Sequence, residues 1–508
     1  MENLYYEVAL PLPLRNSFTY SSNIKISNGS RVQVPFRNRE IVGYVLKKQS
    51  SPNVKSIKPI TKVLDRNSLI DKPSYDLIHW IANYYKAPIG EIFKSYFPPF
   101  LRKGKEIKDS IEVYAITNLG KLASKESFGR AKKQFEALEV FQQKLELSRP
   151  GLKANKISKA ILDALISKGY LEKKSRNRNE LKTNKELNSE AFFELNDEQN
   201  KIYKSIKNSS ANLTHLIFGV TGSGKTEIYF HLIRDFIEKG KQVLILVPEI
   251  GLTPNLKAEI ERRFGEDNVA LLHSEMSEKD RAHAWNDINK GFKSILIGTR
   301  SAIFTPFKDL GLIVVDEEHD SSYKQIDGFR YSARDVAVYR ANLEKIPLIM
   351  CSATPSLESL KNCQDKKYCL HKLTRRVKDA RQPKFEISDL RSSELKSGLT
   401  EYSLNEISKE LSKGNQVLVF LNKKGYAPMV FCNKCGWTPE CSNCDVSMVY
   451  HINPKRLVCH HCGTKHPMPV ACPNCNKESL EFFHIGTEKL EEFLKEYFKN
   501  TPVIRVDR

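Results

Sequence analysis

One glycine-rich stretch restricts the fold of this 508-residue chain more than any other feature. Its eight residues match the phosphate-binding pattern G-x-x-x-x-G-K-[ST] without a gap: Gly219, Val220, Thr221, Gly222, Ser223, Gly224, Lys225 and Thr226. A buried-strand pattern precedes them, and helical spacing of apolar residues follows over 227–239. In such a turn, backbone N–H groups point at phosphate oxygens in front of a helix N-terminus. We therefore expect a nucleoside triphosphate site, with Lys225 on the β- and γ-phosphates and Thr226 on Mg²⁺.

The sequence around the loop predicts a parallel sheet with helices on both faces, over residues 195–372. Helical stretches separate buried-strand candidates at 213–218, 243–247, 294–298, 312–315 and 347–351. A further apolar run at 416–421 predicts the start of a second α/β unit over 373–430. A cysteine-rich insertion at 431–480 interrupts that unit, which we expect to continue over 481–508 and to reach a strand at 502–508.

The residues before the α/β unit predict two smaller domains. Short apolar runs at 7–10, 31–36 and 41–46, followed by helical spacing at 74–85, indicate a β-rich, barrel-like domain over 1–104. Residues 105–175 are mostly helical, and a helix at 156–168 is followed by a short strand. That end fits a winged-helix domain or an ordinary helical packing domain. The polar, charge-rich residues 176–194 predict a solvated linker.

Charge and composition favour some classes of partner and exclude others. Lys and Arg total 81 against 60 Asp and Glu, a formal net charge of +21 spread along the chain. With a triphosphate site, this charge favours nucleic acid as the partner, and plain solubility is the alternative. No run approaches the about 18 apolar residues of a membrane span, and the N-terminus lacks the basic region of a signal peptide.

A second candidate motif follows the strand predicted at 312–315, where residues 314–319 read V-V-D-E-E-H. A carboxylate at the end of a parallel strand is a common Mg²⁺ ligand, so we expect Asp316 to hold the ion. The neighbouring Glu317 would polarise the attacking water. Beyond His319, residues 320–334 form a segment rich in aromatic and basic residues. Its rings either stack on single-stranded bases or, as Phe329 and Tyr331, belong to the core.

Four C-x-x-C pairs in the insertion predict metal binding: Cys432 with Cys435, Cys441 with Cys444, Cys459 with Cys462, and Cys472 with Cys475. Eight thiolates make two closed tetrahedral Zn²⁺ sites, which are structural because no position is left open. Disulfides are disfavoured in a chain without a secretion signal. Five residues separate the first two pairs and fourteen separate the second and third. The longer spacing favours a nested scheme, in which the two middle pairs share one zinc and the two outer pairs share the other.

The ordered motifs resemble those of superfamily 2 helicases. Residues 195–199 (L-N-D-E-Q) resemble the segment whose glutamine reads adenine, which implies that Gln199 contacts the base of ATP. Residues 248–253 and 298–302 resemble motifs that hold the DNA backbone. Residues 351–355 (C-S-A-T-P) resemble the motif that links hydrolysis to strand movement. In this resemblance Asp316, Glu317 and His319 belong to the catalytic acid motif together with Lys225.

With the cysteine insertion, the whole chain resembles the primosomal protein N′ family of bacterial replication restart helicases. Residues 8–14, 18–20, 29–36, 84–90, 425–426 and 486–491 also carry this resemblance. It implies an ATP-dependent 3′-to-5′ DNA helicase that recognises stalled or abandoned replication forks and initiates primosome assembly. An RNA helicase would leave the insertion and the N-terminal segment unexplained.

The resemblance also implies partners, a location and a further binding pocket. The partners are forked and single-stranded DNA, primosome proteins, single-stranded DNA-binding protein and the replicative helicase loading system. The chain would be a monomer in the bacterial cytoplasm, associated with the nucleoid and not with a membrane. Phe18 and Lys58 match positions of the family's pocket for a DNA 3′ end, where Thr19 replaces an acid. Ordinary barrel packing is the alternative role for Phe18.

The end of the chain departs from the family pattern. Members continue past Arg508 into the rest of the second helicase lobe, including an arginine finger that is typically worth about 10³ to 10⁵ in rate. We therefore expect a truncated second lobe and weak hydrolysis and unwinding by this chain alone. The alternative function is a fork-binding primosome scaffold without effective motor activity.

Overall fold

The computed structural model describes residues 3–50, 56–107, 110–129, 131–148, 151–152, 155–177, 192–209, 213–248, 253–377, 383–390, 394–421, 429–444, 446–451, 456–459, 461–483 and 487–506. The predicted segments at 249–252, 425–426 and 484–486, the centre of the predicted linker and the last two residues lie outside these ranges. Among the described residues, no helix is both long and apolar enough to cross a membrane. The chain divides into two compact units, residues 1–381 and 382–508.

The first unit begins with a sheet that covers a small apolar core. Its strands are β1 Leu4–Ala9, β2 Phe18–Ser22, β3 Arg31–Phe36, β4 Arg39–Gln49, β5 Lys58–Pro59 and β6 Lys62–Val63. They lie in the order β5-β2-β1-β4-β3-β6, antiparallel except for the short pair of β2 with β5. Alternate side chains point inward, so that Val8, Val32 and Val34 are fully buried. The β-rich start predicted from the apolar runs is confirmed.

Three helices connect this sheet to the rest of the unit: α1 Lys72–Tyr84, α2 Ile89–Tyr96 and α3 Pro99–Arg102. The side chain of Asp71 caps α1 by accepting a hydrogen bond from the backbone of Ser74 at 3.0 Å. The start of α2 passes so close to the end of β1 that a Cβ on Gly90 would lie 1.7 Å from the backbone of Leu10. Only glycine therefore fits there.

The next part of the unit has a core of its own. Its strands are β7 Ser110–Ile116, β8 Glu146–Ser148 and β9 Leu171–Asn177, in the antiparallel order β8-β7-β9. Its helices are α4 Asn118–Leu122, α5 Lys132–Lys144 and α6 Lys159–Ser167, with a 3₁₀ turn at Lys125–Phe128. Leu138, Phe141 and Leu165 are fully buried. The predicted helix and the short strand after it are confirmed, and the winged-helix interpretation stays a prediction.

The predicted linker begins later than the sequence indicated. Residues 176 and 177 form the end of β9, whose backbone pairs with β7 along its whole length. The polar composition of this strand was misleading, because its hydrogen bonds with β7 use only main-chain groups and leave the charged side chains in solvent.

A seven-stranded parallel sheet forms the centre of the first unit. Its strands are β10 Thr214–Gly219, β11 Gln242–Leu246, β12 Val269–Leu272, β13 Ile295–Gly298, β14 Leu310–Val315, β15 Leu348–Ser352 and β16 Tyr368–Leu373. Its helices are α7 Asp197–Lys207, α8 Lys225–Glu238, α9 Thr253–Phe264, α10 Glu278–Asn289, α11 Ala333–Glu344 and α12 Leu357–Gln364. Short 3₁₀ turns lie at Glu266–Asn268, Arg300–Phe304 and Ser321–Tyr323.

The strand order β12-β13-β11-β14-β15-β10-β16 confirms the predicted parallel α/β fold. Both faces of the sheet are covered, since Leu244 and Leu246 belong to one buried cluster and Val243 and Ile245 to another. The first cluster also includes residues of α1, α2 and α3, so the N-terminal helices pack against this sheet within the same unit. All five predicted strands are present, whereas the edge strands β12 and β16 were not predicted.

The second unit contains small antiparallel sheets in its described part. Its elements are β17 Leu395–Lys396, β18 Leu399–Thr400, α13 Glu401–Ser412, β19 Met429–Cys432, β20 Val449–His451, β21 Arg456–Val458, β22 Lys465–Pro467, β23 Leu480–Phe483 and α14 Thr487–Tyr497. β17 pairs with β18, β19 pairs with β23, and β20, β21 and β22 form a three-stranded sheet.

The strands predicted at 416–421 and 502–508 are wrong for the described residues, which form no strand there. Most apolar side chains of these segments are exposed, with Leu418 at 90% and Val506 at 92%, and the others are partly buried. A strand needs a neighbour for its hydrogen bonds, and no described strand of this unit pairs with either segment. The assignment of 373–430 and 481–508 to a second helicase lobe stays a prediction.

Candidate functional site

The phosphate-binding loop lies at the carboxyl edge of the parallel sheet, between β10 and α8. Gly222 and Gly224 have φ of 78° and 79°, a backbone conformation that residues with a Cβ rarely adopt. The Lys225 side chain is buried, and its Nζ donates a hydrogen bond to the Gly219 carbonyl at 2.8 Å. The buried Ser223 hydroxyl has no hydrogen-bond partner among the described residues. A loop that presents the Lys225 ammonium group and an unpartnered Ser223 hydroxyl is suited to bind a phosphate group.

Gln199 lies against this loop at the start of α7. Its Oε1 accepts a hydrogen bond from the Asn196 backbone at 2.9 Å, and its Nε2 donates to the Ser223 carbonyl at 2.9 Å. A Cβ on Gly224 would lie 2.2 Å from this Nε2, so the two residues fit together only with glycine. The structure therefore brings Gln199 to the predicted nucleotide site, where its amide also supports the loop. Its contact with adenine stays a prediction.

The acid motif follows β14, two strands from the phosphate loop in the sheet order. Burial and, to a smaller extent, the charge of the neighbouring Glu317 raise the pKa of Asp316 from 3.8 to about 6, and Lys225 opposes this rise. The Tyr229 hydroxyl of α8 donates to Asp316 Oδ2 at 3.2 Å. The fold thus places Asp316 beside the phosphate loop, and a Mg²⁺ ion with Lys225 would supply the positive charge that a buried carboxylate needs.

The other residues of the motif connect this edge to the end of β15. Glu317 has a φ of 44°, which is unusual for a residue with a side chain. His319 Nδ1 lies 2.8 Å from Ser352 Oγ and 3.5 Å from Glu317 Oε2. The contact joins the acid motif to the serine of the segment at 351–355. The structure therefore places Asp316, Glu317 and His319 at the same edge of the sheet as Lys225, and their catalytic roles stay a prediction.

The cysteines of the insertion form two groups of four. Cys432, Cys435, Cys472 and Cys475 make one, and Cys441, Cys444, Cys459 and Cys462 make the other, with the sulfurs of each group within 4.8 Å of one another. The Sγ atoms of Cys432 and Cys475 are 3.6 Å apart, as are those of Cys441 and Cys462. A tetrahedral Zn²⁺ with Zn–S distances of about 2.3 Å requires nearly this separation. The nested pairing is confirmed.

Hydroxyl groups beside the clusters favour the ionised form of two thiols. The Ser479 hydroxyl lies 3.0 Å from Cys432 Sγ and lowers the pKa of that thiol to about 6. Thr464 does the same for Cys462 at 3.0 Å. Because the thiolate is the metal ligand, each cluster contains at least one thiol whose ionised, zinc-binding form is favoured. Outside the clusters, Cys351 is buried, whereas Cys363 and Cys369 are only partly buried.

Comparison with known proteins gives matches along the whole chain. Family models match residues 7–98 as a 3′DNA-binding domain, 196–363 as a DEAD/DEAH box helicase and 441–467 as the PriA DNA helicase Cys-rich region. The replication restart protein PriA of Haemophilus influenzae is 39% identical over 99% of this chain and 70% of its own length. The chain belongs to the PriA family. PriA of Chlamydia pneumoniae is 34% identical over 99% of this chain and 70% of its own length.

PriA is another name for primosomal protein N′, so the family predicted from the motifs is confirmed. Among solved structures, the helicase domain of Pyrococcus furiosus Hef is 23% identical, covering 36% of this chain and 38% of its own. Its TM-score of 0.29 is too low for it to bear on the fold.

Residues predicted for the 3′-end pocket of the PriA family lie on β2 and β5. Phe18 is partly buried, with its ring edge-to-face on Phe36 at 5.2 Å between centroids. Thr19 donates a hydrogen bond to Gln49 Oε1 at 3.0 Å, and Lys58 is exposed. Phe18 therefore has the packing contact of the alternative role, and a role in binding a 3′ end stays a prediction.

The loop after the acid motif is more buried than its DNA-binding interpretation requires. Tyr323, Phe329 and Tyr331 are all buried, at 2%, 6% and 1% exposure. The alternative, that Phe329 and Tyr331 belong to the core, is confirmed. The basic residues Lys324 and Arg330 are exposed and remain available to a ligand.

Sequence reasoning missed the role of Glu318, which is 1% exposed. Its carboxylate accepts hydrogen bonds from the Ser356 backbone at 2.7 Å, the Ser359 hydroxyl at 2.9 Å and Arg334 Nη1 at 3.2 Å. These contacts join the acid motif to the N-terminus of α12 and to the start of α11. The sequence did contain a signal for this network, namely the third acid of D-E-E-H together with the two serines of S-x-x-S at 356–359.

Proposed function

We propose that this chain is an ATP-dependent 3′-to-5′ DNA helicase that recognises stalled or abandoned replication forks and initiates primosome assembly. Its PriA relatives are named replication restart proteins. Domain matches to a 3′DNA-binding domain and a DEAD/DEAH box helicase support the DNA substrate and the motor. The net charge of +21 suits a polyanionic partner.

The observation that best supports this proposal is that Lys225 and Asp316 lie together at one edge of the sheet. In the proposed site Lys225 leaves the Gly219 carbonyl and binds the β- and γ-phosphates, while the loop from Gly219 to Thr226 offers its backbone N–H groups. Thr226 and Asp316 hold Mg²⁺, which supplies charge neutralisation of the phosphates when bound. Gln199, whose side chain contacts the loop at Ser223, hydrogen-bonds to the adenine base.

Two further acid-motif residues receive roles in hydrolysis and coupling. Glu317 polarises the attacking water, because its carboxylate follows Asp316 at the strand end. His319 couples nucleotide hydrolysis to the segment at 351–355, because its Nδ1 lies 2.8 Å from Ser352 Oγ. The strained φ of Glu317 supports a functional position, since strain of this kind collects at active sites.

The two cysteine groups hold one Zn²⁺ each in this proposal, and both ions are structural. Four sulfur ligands leave no open position for a substrate. β19 and β23 pair at the base of the insertion, so that the outer cluster closes the loop that contains the inner one. Zinc therefore fixes a surface that primosome partners can recognise.

The proposed partners are forked and single-stranded DNA, primosome proteins, single-stranded DNA-binding protein and the replicative helicase loading system. The proposed location is the bacterial cytoplasm, at the nucleoid, with the protein acting as a monomer. Replication restart requires contact with the chromosome, which supports this location.

A Lys225→Ala variant distinguishes the proposed motor function from the alternative of a fork-binding scaffold. The exposed Lys239, at the other end of α8, supplies the matched control Lys239→Ala. We expect Lys225→Ala to abolish DNA-stimulated ATP hydrolysis and helicase loading at forks, while fork binding persists. Unchanged loading in Lys225→Ala would favour the scaffold instead.

A further inference from the structure

A cavity of about 300 Å³ lies in the first unit between the N-terminal helices and the parallel sheet. Residues from α2 and α3 line one side, α10 lines a second, and the loop that follows the acid motif lines a third. The cavity is separate from the phosphate-binding loop, none of whose residues line it. Its volume is at the lower end of the range for small-ligand sites.

Two arginines give the cavity its charge. Arg102 and Arg281 both line it, and burial lowers the pKa of each guanidinium. Arg281 lowers the pKa of Arg102 as well, because the two positive charges are close. Glu278 acts on both from outside the cavity, but its carboxylate is bound to Lys103 Nζ at 2.7 Å.

The arginines are only partly satisfied within the protein. Arg102 Nε donates to the Phe97 carbonyl at 2.6 Å. Arg281 Nε is buried and has no hydrogen-bond partner among the described residues. Lys94 adds a positive charge at the wall and Glu91 a negative one, which leaves the lining net positive. Neighbouring half-buried cations of this kind favour an anion between them.

Aromatic rings form the remaining wall of the cavity. Phe97 and Trp285 lie 5.9 Å apart between centroids with planes at 36°, and both line the space. Trp285 is one helical turn beyond Arg281 on α10, so a ring and a guanidinium face the cavity together. Ser301, from the segment that resembles a DNA-backbone motif, also lines it. Both rings are buried, with Phe97 at 0% and Trp285 at 2% exposure, so they form an apolar wall beside the cations and offer no face to a base.

We propose that this cavity binds one backbone phosphate of single-stranded DNA, held between Arg102 and Arg281. This inference rests on the proposed DNA helicase function and adds a subsite to it. Because Gln325 and Gly328 of the loop line the cavity, an occupied subsite contacts the segment that leads back to the acid motif. Arg102 and Arg281 are then binding residues that lie outside the helicase motifs.

The test compares Arg102→Gln and Arg281→Gln with Lys279→Gln, which removes one exposed charge from the same helix as Arg281. Fluorescence anisotropy with labelled oligothymidylate over a range of salt concentrations gives the affinity of the full 508-residue chain. We expect each arginine variant to bind about tenfold more weakly at low salt, and its salt slope to fall by about 0.7. Lys279→Gln and the DNA-free ATP hydrolysis of all variants should change less than about twofold.

Two results would overturn the subsite. One is arginine variants that bind oligothymidylate as well as Lys279→Gln does. The other is arginine variants that lose affinity for an acidic peptide while their affinity for oligothymidylate is unchanged, which would assign the cavity to another ligand. Circular dichroism melting of each variant identifies any loss that comes from unfolding, and Arg281→Lys, which keeps the charge, should retain most of the affinity. Failure of the unsubstituted chain to bind oligothymidylate would instead contradict the proposed function.

Discussion

Replacing Glu318 by glutamine tests the buried network that connects the acid motif to α11 and α12. The carboxylate accepts from the Ser356 backbone and from the hydroxyls of Ser356 and Ser359, and it pairs with Arg334 at 3.2 Å. A glutamine side chain has nearly the same volume as glutamate but only one acceptor oxygen and no charge. Its NH₂ group can donate to the two serine hydroxyls, but the Ser356 N–H and Arg334 can only donate and would lose an acceptor or its charge. Each hydrogen bond to a charged group contributes about 1.5–3 kcal/mol, so two of the four interactions are at risk.

The expected loss of unfolding free energy in Glu318→Gln is about 3 kcal/mol, the lower end of the range for two such hydrogen bonds. The larger penalties of a broken buried ion pair do not apply in full. In the variant, Arg334 would still interact with Asp335 at 3.1 Å and with the Ser356 hydroxyl at 2.8 Å. Its side chain is also 19% exposed, so water can solvate it in part. ATP turnover should also fall, because the network holds the segment after β15 against the acid motif.

Urea unfolding followed by tryptophan fluorescence measures this loss. Two of the three tryptophans, Trp80 and Trp285, lie in the first unit, which contains the network, and the measurement is made in a Trp437→Phe background because Trp437 lies in the second unit. The matched control is Glu358→Gln, an exposed acid in the first turn of α12, which should cost less than about 1 kcal/mol. Equal losses in Glu318→Gln and Glu358→Gln would refute the reasoning.

Three other predictions concern zinc, pH and the phosphate loop. Metal analysis should find two zinc ions per chain, and one in either Cys432→Ser or Cys441→Ser, since each site contributes roughly 10 kcal/mol and they share no ligand. Burial lowers the pKa of His215 from 6.5 to about 4, so only the unfolded chain takes up this proton as pH falls. Urea titrations should therefore show about 3 kcal/mol lost between pH 6.5 and 4, and less in His215→Gln. Gly224→Ala should weaken fluorescent ATP analogue binding about tenfold more than Gly222→Ala, because only its Cβ meets a side chain, at 2.2 Å.

The central sheet and the nucleotide site could be predicted because their signals are local. β10 and the loop after it are contiguous, and the acids follow a fully buried strand. The edge strand β16 was missed for a physical reason. β16 reads Y-C-L-H-K-L and is half exposed, so its residues are not a continuous apolar run. The cysteine pairing could be predicted from spacing because the thiols of one zinc must meet at a point.

What the sequence could not supply is the set of contacts between distant segments. Glu318 meets Ser356 and Ser359 only because β14 and β15 are neighbours in the sheet. The cavity between Arg102 and Arg281 likewise depends on how the N-terminal helices pack on the sheet. Conversely, the apolar run at 416–421 predicted a strand that does not form in the described residues, because strand formation requires a partner and not only composition.

The most direct test of the account is ATP hydrolysis by the full 508-residue chain with and without forked DNA, in parallel with Lys225→Ala. We expect forked DNA to stimulate hydrolysis, and the substitution to remove the stimulated rate while Lys239→Ala leaves it intact. Hydrolysis that forked DNA does not change, or a stimulated rate that survives Lys225→Ala, would contradict the assignment of this site to a DNA-driven motor.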